Sequence, residues 1–93
     1  MANLLPLPGL SNYTIAVLTP QTFEETAQAV DALKGGTVIL LNFASLGTEL
    51  AQRFADFAAG STCAISGHQQ QLGHQIYLFT PPTVDIITQL KTC

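Results

Sequence analysis

Residues 14–41 read TIAVLTPQTFEETAQAVDALKGGTVILL, and this stretch decides the fold. Thr14 to Leu18 is an apolar run stopped by Thr19-Pro20, the pattern of a short buried strand. Thr22 and Glu25 then form a T-x-x-E capping box, in which the hydroxyl accepts from a free helix N–H and the carboxylate reaches back. Phe23, Ala27, Val30 and Leu33 fall near helical spacing and build one apolar stripe. Gly35-Gly36 closes the helix, because glycine enters the left-handed cap conformation without steric cost, and Lys34 in the last turn suits the helix dipole. Thr37 to Leu41 is apolar without alternation, as in a strand central in its sheet or covered on both faces. Strand, helix and strand in this order predict a βαβ unit with parallel strands and a right-handed crossover.

The rest of the chain is read outward from that unit. A second helix is predicted over about 48–59, with Gly47 or Ser45 at its start and Gly60 as its C-cap. Leu50 or Ala51, Phe54, Phe57 and Ala58 share one face, and the small Ala51, Ala55, Ala58 and Ala59 let another surface approach closely. The period then changes. Residues 62–66, 69–72 and 75–80 read as three strands, with turn signals at Gly67-His68 and Gly73-His74. In the last of them Ile76 and Leu78 share one face and Tyr77 and Phe79 the other, and Pro81-Pro82 stops it. Residues 84–93 fit either a strand or a last helical turn. The expected fold is a small α/β (α+β) sandwich of order β-α-β-α-β-β-β, with about five strands in a mixed sheet and two helices on one face. Residues 1–13 read as an irregular lead-in, 14–87 as the core domain and 88–93 as a tail.

Composition narrows the function. The chain has 93 residues, 47% hydrophobic and only 10% charged, a globular balance with a charge-poor surface. Such a surface calls for an apolar face covered by a partner, a second copy being the natural one. The net charge is −3 and the cations are Lys34, Arg53 and Lys91 alone. Three scattered cations cannot neutralise a run of phosphates, so nucleic acid is rejected as a partner, and an electrostatic hold on anionic lipid with it. The segment Met1 to Leu10 is apolar, but it lacks a basic n-region and carries Pro6 and Pro8. No apolar run approaches the ~18–20 residues that cross a bilayer. With two cysteines far apart, Cys63 and Cys93, a cytosolic protein with reduced thiols is expected.

Chemistry finds little support. His68 and His74 lie in turns and Cys63 in what reads as an apolar strand, a poor match to the three or four converging ligands of zinc. Ser61, Ser66, Cys63 and both histidines lie close in sequence, but the nearest acids, Asp56 and Asp85, have no motif context. Cys63 has no cation beside it to lower its thiol pKa. Glu24 and Glu25 belong to a helix's first turn, and Gly35-Gly36 closes a helix rather than cradling a phosphate. Neither a catalytic site, a metal nor a cofactor is expected. What remains is a binding surface. Tyr77 and Phe79 are either an exposed hot spot or core residues under a helix, and periodicity allows both.

The order of several short motifs resembles a known family. Ile15-Ala-Val-Leu-Thr-Pro20, followed by Phe23-Glu-Glu25, resembles the opening strand and first-helix motif of SepF, a bacterial cell-division family. Asp31-Ala-Leu33 and Val38-Ile-Leu-Leu-Asn42 are similar to its helix end and second strand, and Ala51-Gln-Arg53, Asp56-Phe57 and Gly60 to its second helix. Ala64-Ile65, Gly67-His68-Gln69, Gly73 and Ile76-Tyr-Leu-Phe-Thr-Pro81 are similar to its closing strands, most of all in the cyanobacterial branch. The resemblance covers roughly residues 14–87. It implies a non-enzymatic adaptor at the division site. Such an adaptor dimerises, binds the C-terminal tail of the tubulin-like protein FtsZ, tethers FtsZ filaments to the membrane and assembles into polymers. It further implies a tail-binding site including Ala51, Gln71, Tyr77 and Phe79, and self-association through Gly60 and Phe57. Two departures stand out: Gln71 replaces a basic residue common in the pocket, and Ser66 replaces a common glycine. The family's amphipathic membrane helix and acidic linker have no counterpart in Met1 to Ser11. Membrane attachment would therefore come only through a helix outside this chain, which reads as a trimmed core or a naturally short relative. In the second case a paralogue that only self-assembles, or pairs with a full-length relative without binding FtsZ, is the alternative.

Overall fold

The computed structural model describes residues 14–87. The chain runs β1 (Ile15–Leu18), α1 (Phe23–Lys34), β2 (Val38–Asn42), α2 (Thr48–Ala64), β3 (His68–Gly73) and β4 (Ile76–Thr80). The sheet order is β1-β2-β4-β3. β1 and β2 are parallel, Ile15 opposite Val38, and β4 runs antiparallel to both β2 and β3. Both helices pack on one face of this mixed sheet, so the βαβ reading and the α+β sandwich hold. The predicted lead-in (1–13), the tail (88–93) and Cys93 lie outside the described residues.

Local chemistry explains the boundaries of α1. Thr22 caps it, its Oγ1 accepting from the Glu25 N–H at 3.1 Å. The return bond of the capping box goes one residue further back, with Glu25 Oε1 accepting from the Gln21 N–H at 2.6 Å. At the other end Gly36 sits at φ +105°. The Thr37 N–H reaches the Ala32 carbonyl and the Gly36 N–H the Leu33 carbonyl, both at 3.0 Å. This 6→1 and 5→2 pair is a Schellman cap, which satisfies carbonyls the helix would otherwise leave open. The buried stripe is Thr26, Ala29, Val30 and Leu33. The predicted stripe is thus rotated at its N-terminal end, where Phe23 is 49% exposed.

α2 differs from expectation. It does not stop at Gly60 but runs on through Ala64, and this removes the strand expected at 62–66 and leaves four strands among the described residues. The heptad-like row Ala51, Phe54, Ala55, Ala58, Thr62 stays buried across the glycine. Burying that row offsets the ~1 kcal/mol a mid-helix glycine costs. Thr62 is accommodated in the core because its hydroxyl donates to the Ala58 carbonyl at 2.7 Å. The helix closes in a second Schellman cap: Gly67 N–H to Thr62 O at 2.9 Å and Ser66 N–H to Cys63 O at 3.0 Å. Cys63 therefore lies exposed on the last helical turn, not inside an apolar strand. The helix start is capped by Gly47, without a side-chain hydrogen bond.

The core sits between the helices and one sheet face. It contains Leu33, Ile39, Leu41, Phe43, Phe54, Ala58 and Phe79, all 6% exposed or less. Among the described residues, the opposite sheet face carries no helix. Register places Ile15 and Val17 of β1, Val38 and Leu40 of β2, and Leu78 and Ile76 of β4 on it. Ile15 and Val17 are 61% and 68% exposed. Residues 81–87 fold back over one end of this face, held by the Thr80 hydroxyl donating to the Val84 carbonyl at 2.9 Å. Among the described residues, no helix is long and apolar enough to cross a membrane.

Candidate functional site

β4 is the strand that organises the predicted site. Tyr77 pairs with Leu41 on one side and with Gln71 on the other, so it lies near the middle of the sheet on the helix-covered face. The two alternatives for the aromatic pair are thereby resolved: Tyr77 and Phe79 lie under the helices, and Ile76 and Leu78 face the uncovered side. The rings of Tyr77 and Phe79 stack at 6.2 Å with 22° between their planes, and Phe43 closes on Tyr77 at 6.2 Å.

The four tail-binding candidates are not equally accessible. Phe79 is fully buried and Ala51 is 1% exposed, so both belong to the hydrophobic core rather than to a surface. A side chain with no accessible area cannot itself touch a ligand in this conformation; these two fix the position of what lies above them. Tyr77 is half-buried and Gln71 is exposed. Gln71 donates from Nε2 to the Gly73 carbonyl at 3.0 Å, where the β3–β4 pairing is interrupted by a bulge. The accessible part of the predicted site is therefore the Gln71–Tyr77 pair at the junction of β3 and β4.

Gly60 and Phe57, the self-association pair, lie on α2, the glycine exposed and the phenylalanine half-buried. A methyl group at Gly60 would meet nothing within 4 Å, and its backbone is ordinary helix. Nothing among the described residues requires a glycine there. Sequence reading missed what lies beside it. Phe23 leaves the core stripe and packs on Phe57 with ring centroids 4.7 Å apart, and Leu50 is 40% exposed at the start of the same helix. The spacing of Phe23 fits the helical stripe, but as the first residue of α1 it stays half exposed.

Titratable groups do not gather. His68 Nε2 lies 3.3 Å from Asp85 Oδ1, an exposed pair between β3 and the residues after β4. His74 is exposed in the β3–β4 turn and Cys63 lies on α2. Among the described residues, no three of His, Cys, Asp and Glu converge to hold a metal ion. Among the described residues, every buried side-chain nitrogen and oxygen has a hydrogen-bond partner, so none of these is left aimed at a ligand.

These features define a small α+β sandwich that carries, among the described residues, an uncovered apolar sheet face, an aromatic patch beside an exposed glycine, and a half-buried tyrosine at a strand junction. Residues 15–86 match the sequence profile of the family described as cell division protein SepF. The chain is 45% identical over 89 residues to the SepF of Synechococcus elongatus and 43% identical over 91 residues to that of Trichormus variabilis. Those alignments take in 95% and 96% of this chain but 47% and 46% of the relatives, so the chain spans about half their length. Among solved structures, a SepF-like protein from Pyrococcus furiosus superposes with a TM-score of 0.74 at 20% identity, covering 84% of this chain and 98% of its own. SepF from Methanobrevibacter smithii, solved in complex with FtsZ-CTD, superposes with a TM-score of 0.64 at 17% identity, covering 83% of this chain and 100% of its own. The chain belongs to the SepF family of cell-division proteins.

Proposed function

We propose that this chain is a non-enzymatic adaptor that binds the C-terminal tail of FtsZ and helps organise FtsZ filaments at the division site. The observation that carries the reading is that the SepF of Methanobrevibacter smithii, which shares this fold, was solved in complex with FtsZ-CTD. The surface assigned to the tail is the Gln71–Tyr77 junction, with Phe79 and Ala51 supporting it from the core. Tyr77 suits an anchor role: its ring is held by Phe43 and Phe79, so little side-chain entropy is lost when a peptide packs on it.

Dimerisation is the second part of the proposal. The uncovered sheet face is apolar along three adjacent strands, from Val17 through Leu40 to Leu78. A second copy docking there about a two-fold axis would remove that surface from water, and no charged residue of these strands opposes it. Further association through Gly60 and Phe57 is favoured by the open space at Gly60.

Titration with a peptide of the host's FtsZ C-terminus, followed by calorimetry, tests the first part. Saturable binding is expected, weakened by at least ~2 kcal/mol in Tyr77→Ala. Tyr77 also packs on the core, so Gln71→Asp, an exposed change, serves as the second variant and is expected to weaken binding without loss of fold. Absence of binding by the folded wild-type chain at millimolar peptide would overturn the tail-binding reading. It would leave a protein that assembles only with itself or with a longer relative, the alternative favoured by the uncharged Gln71.

A further inference from the structure

The described sheet ends in β1 on one side and β3 on the other. Along β3, Gln70 Nε2 donates to the Gln71 carbonyl at 3.3 Å and Gln71 Nε2 to the Gly73 carbonyl at 3.0 Å, beside a bulge. Side chains on backbone acceptors and a bulge blunt an edge against further pairing. β1 carries neither. Its sequence, Ile15-Ala-Val-Leu18, has no charge or proline, and among the described residues only β2 pairs with it. The Val38 N–H donates to the Thr14 carbonyl at 3.0 Å and Ile15 stands opposite Val38, so Thr14, Ala16 and Leu18 turn their peptide groups toward β2. By alternation Ile15 and Val17 turn theirs outward. Their side chains lie on the uncovered face, where they are the most exposed large apolar residues of the sheet.

We propose that β1 of a second copy adds to this edge as an antiparallel strand, about a two-fold axis through Ala16. In this register Ile15 of each copy faces Val17 of the other, and every outward N–H and C=O of both strands finds a partner. Within Ile15–Leu18 no other antiparallel register uses them all, so the edge is complementary to itself. The side chains agree with that register. On the uncovered face the β-branched Ile15 and Val17 meet across the axis, apolar against apolar. On the helix-covered face Ala16 meets its own copy, a small residue at the point of closest approach. Leu18 stands opposite the other copy's Thr14, beside a groove of about 470 Å³ floored by Ala16, Ala29 and Ala32. The charged residue of that groove, Glu25, accepts from the Gln21 N–H and so lies at its Leu18 end. The two-fold axis sends the two carboxylates to opposite ends of the contact, and no like charges meet at its centre. The pairing also joins the uncovered faces of both copies into one continuous apolar surface, so it adds to the docking of those faces and does not replace it.

Disulfide trapping in the full chain tests this without any FtsZ peptide, so its outcome is independent of the tail-binding reading. In a background of Cys63→Ser and Cys93→Ser, the single changes Ile15→Cys, Ala16→Cys and Val17→Cys are oxidised side by side. The axis places Ala16 opposite its own copy as a non-hydrogen-bonded pair with Cα atoms about 4.5 Å apart, within the ~4.4–6.8 Å that a disulfide spans. Ile15 and its copy, like Val17 and its copy, are offset along the strands and lie roughly 8 Å apart, beyond that reach. Ala16→Cys should therefore form the covalent dimer at least about tenfold faster than either neighbour. Equal rates would overturn the proposal. Faster trapping through Ile15→Cys or Val17→Cys would overturn it too, by assigning these residues to the docking of uncovered faces. Amide hydrogen exchange of the unaltered chain, resolved by NMR, gives a second reading. Protection of Ile15 and Val17 should rise about tenfold or more with protein concentration, while the Leu41 and Phe79 amides stay protected throughout. Fast exchange at every concentration would overturn the pairing, and so would protection that survives dilution, which would assign the edge to a contact within one chain.

Discussion

Gln75 and Phe43 hold each other by two hydrogen bonds. The Gln75 side-chain amide donates to the Phe43 carbonyl at 2.7 Å, and the Phe43 N–H donates to the Gln75 carbonyl at 2.8 Å. The same amide also reaches the Leu46 carbonyl at 3.1 Å. One buried glutamine therefore ties the start of β4 to the end of β2 and to the loop that launches α2, the three elements around Tyr77. It does so from a left-handed backbone, φ 58°.

Gln75→Ala should remove both amide bonds and leave two carbonyls short of a donor, for a loss of ~1–3 kcal/mol. Gln75→Gly loses the same bonds but relieves the left-handed backbone, whose cost for a residue with a Cβ is ~1–2 kcal/mol. The glycine variant is therefore expected to be the more stable of the two, though below wild type. Urea denaturation followed by circular dichroism orders the three proteins. A glycine variant no more stable than the alanine one would mean that the backbone is not strained at this position.

The turn after α2 offers a contrasting pair. Ser66 takes φ 60° in the Schellman cap, where the resemblance to the family placed a common glycine. Ser66→Gly should raise stability by ~1 kcal/mol. Gly67→Ala should do the reverse. Its Cβ would be driven into the Thr80 carbonyl, with Thr62 Cγ2 only 3.0 Å away, and the backbone oxygen belongs to β4 and cannot step aside. A loss of at least ~2 kcal/mol is expected, measured by the same denaturation. A neutral Gly67→Ala would show that the β3 entry is looser than drawn.

The opening βαβ unit was legible because each of its signals is local. The Thr22 cap, the Gly36 cap and the uninterrupted apolar run of β2 each specify one conformation within a few residues. The end of α2 was not, because the deciding information is tertiary. Gly60 is a stop signal by propensity, and only the continued burial of Ala58 and Thr62 against the sheet overrides it. The spacing Ala55, Ala58, Thr62 was the available sign that the helix continues. The site divided in the same way. Alternation placed Tyr77 with Phe79 and apart from Ile76 and Leu78, but which face the helices cover depends on the whole chain. Phe79 and Ala51 could be carried over by resemblance as site residues because sequence does not record that they are buried.

Gly60→Ala separates intramolecular from intermolecular need. The new methyl meets nothing within 4 Å, and a helix interior gains ~0.5–1 kcal/mol from the exchange. A higher thermal midpoint for the dilute protein is expected. If Gly60 lies in a contact between copies, the same methyl obstructs close approach, so large assemblies should decline in sedimentation velocity although each subunit is more stable. Assemblies that are unchanged or increased would remove Gly60 from the self-association surface.

Gln71→Lys addresses the one departure that bears on affinity. Gln71 is exposed and pairs across the strand with Tyr77, so a lysine there would place its ammonium beside the proposed peptide path without disturbing the core. An exposed charge pair contributes ~0.2–1 kcal/mol, so the variant should bind an acidic FtsZ tail peptide up to about fivefold more tightly at low salt. The gain should vanish near 1 M salt, where the screening length falls to about 3 Å. Calorimetric titration of both proteins at the two salt concentrations distinguishes the cases. A gain that persists at high salt would come from packing of the lysine stem rather than its charge. No gain at low salt, with wild-type binding intact, would place the acidic part of the peptide away from β3 and move the proposed path toward α2.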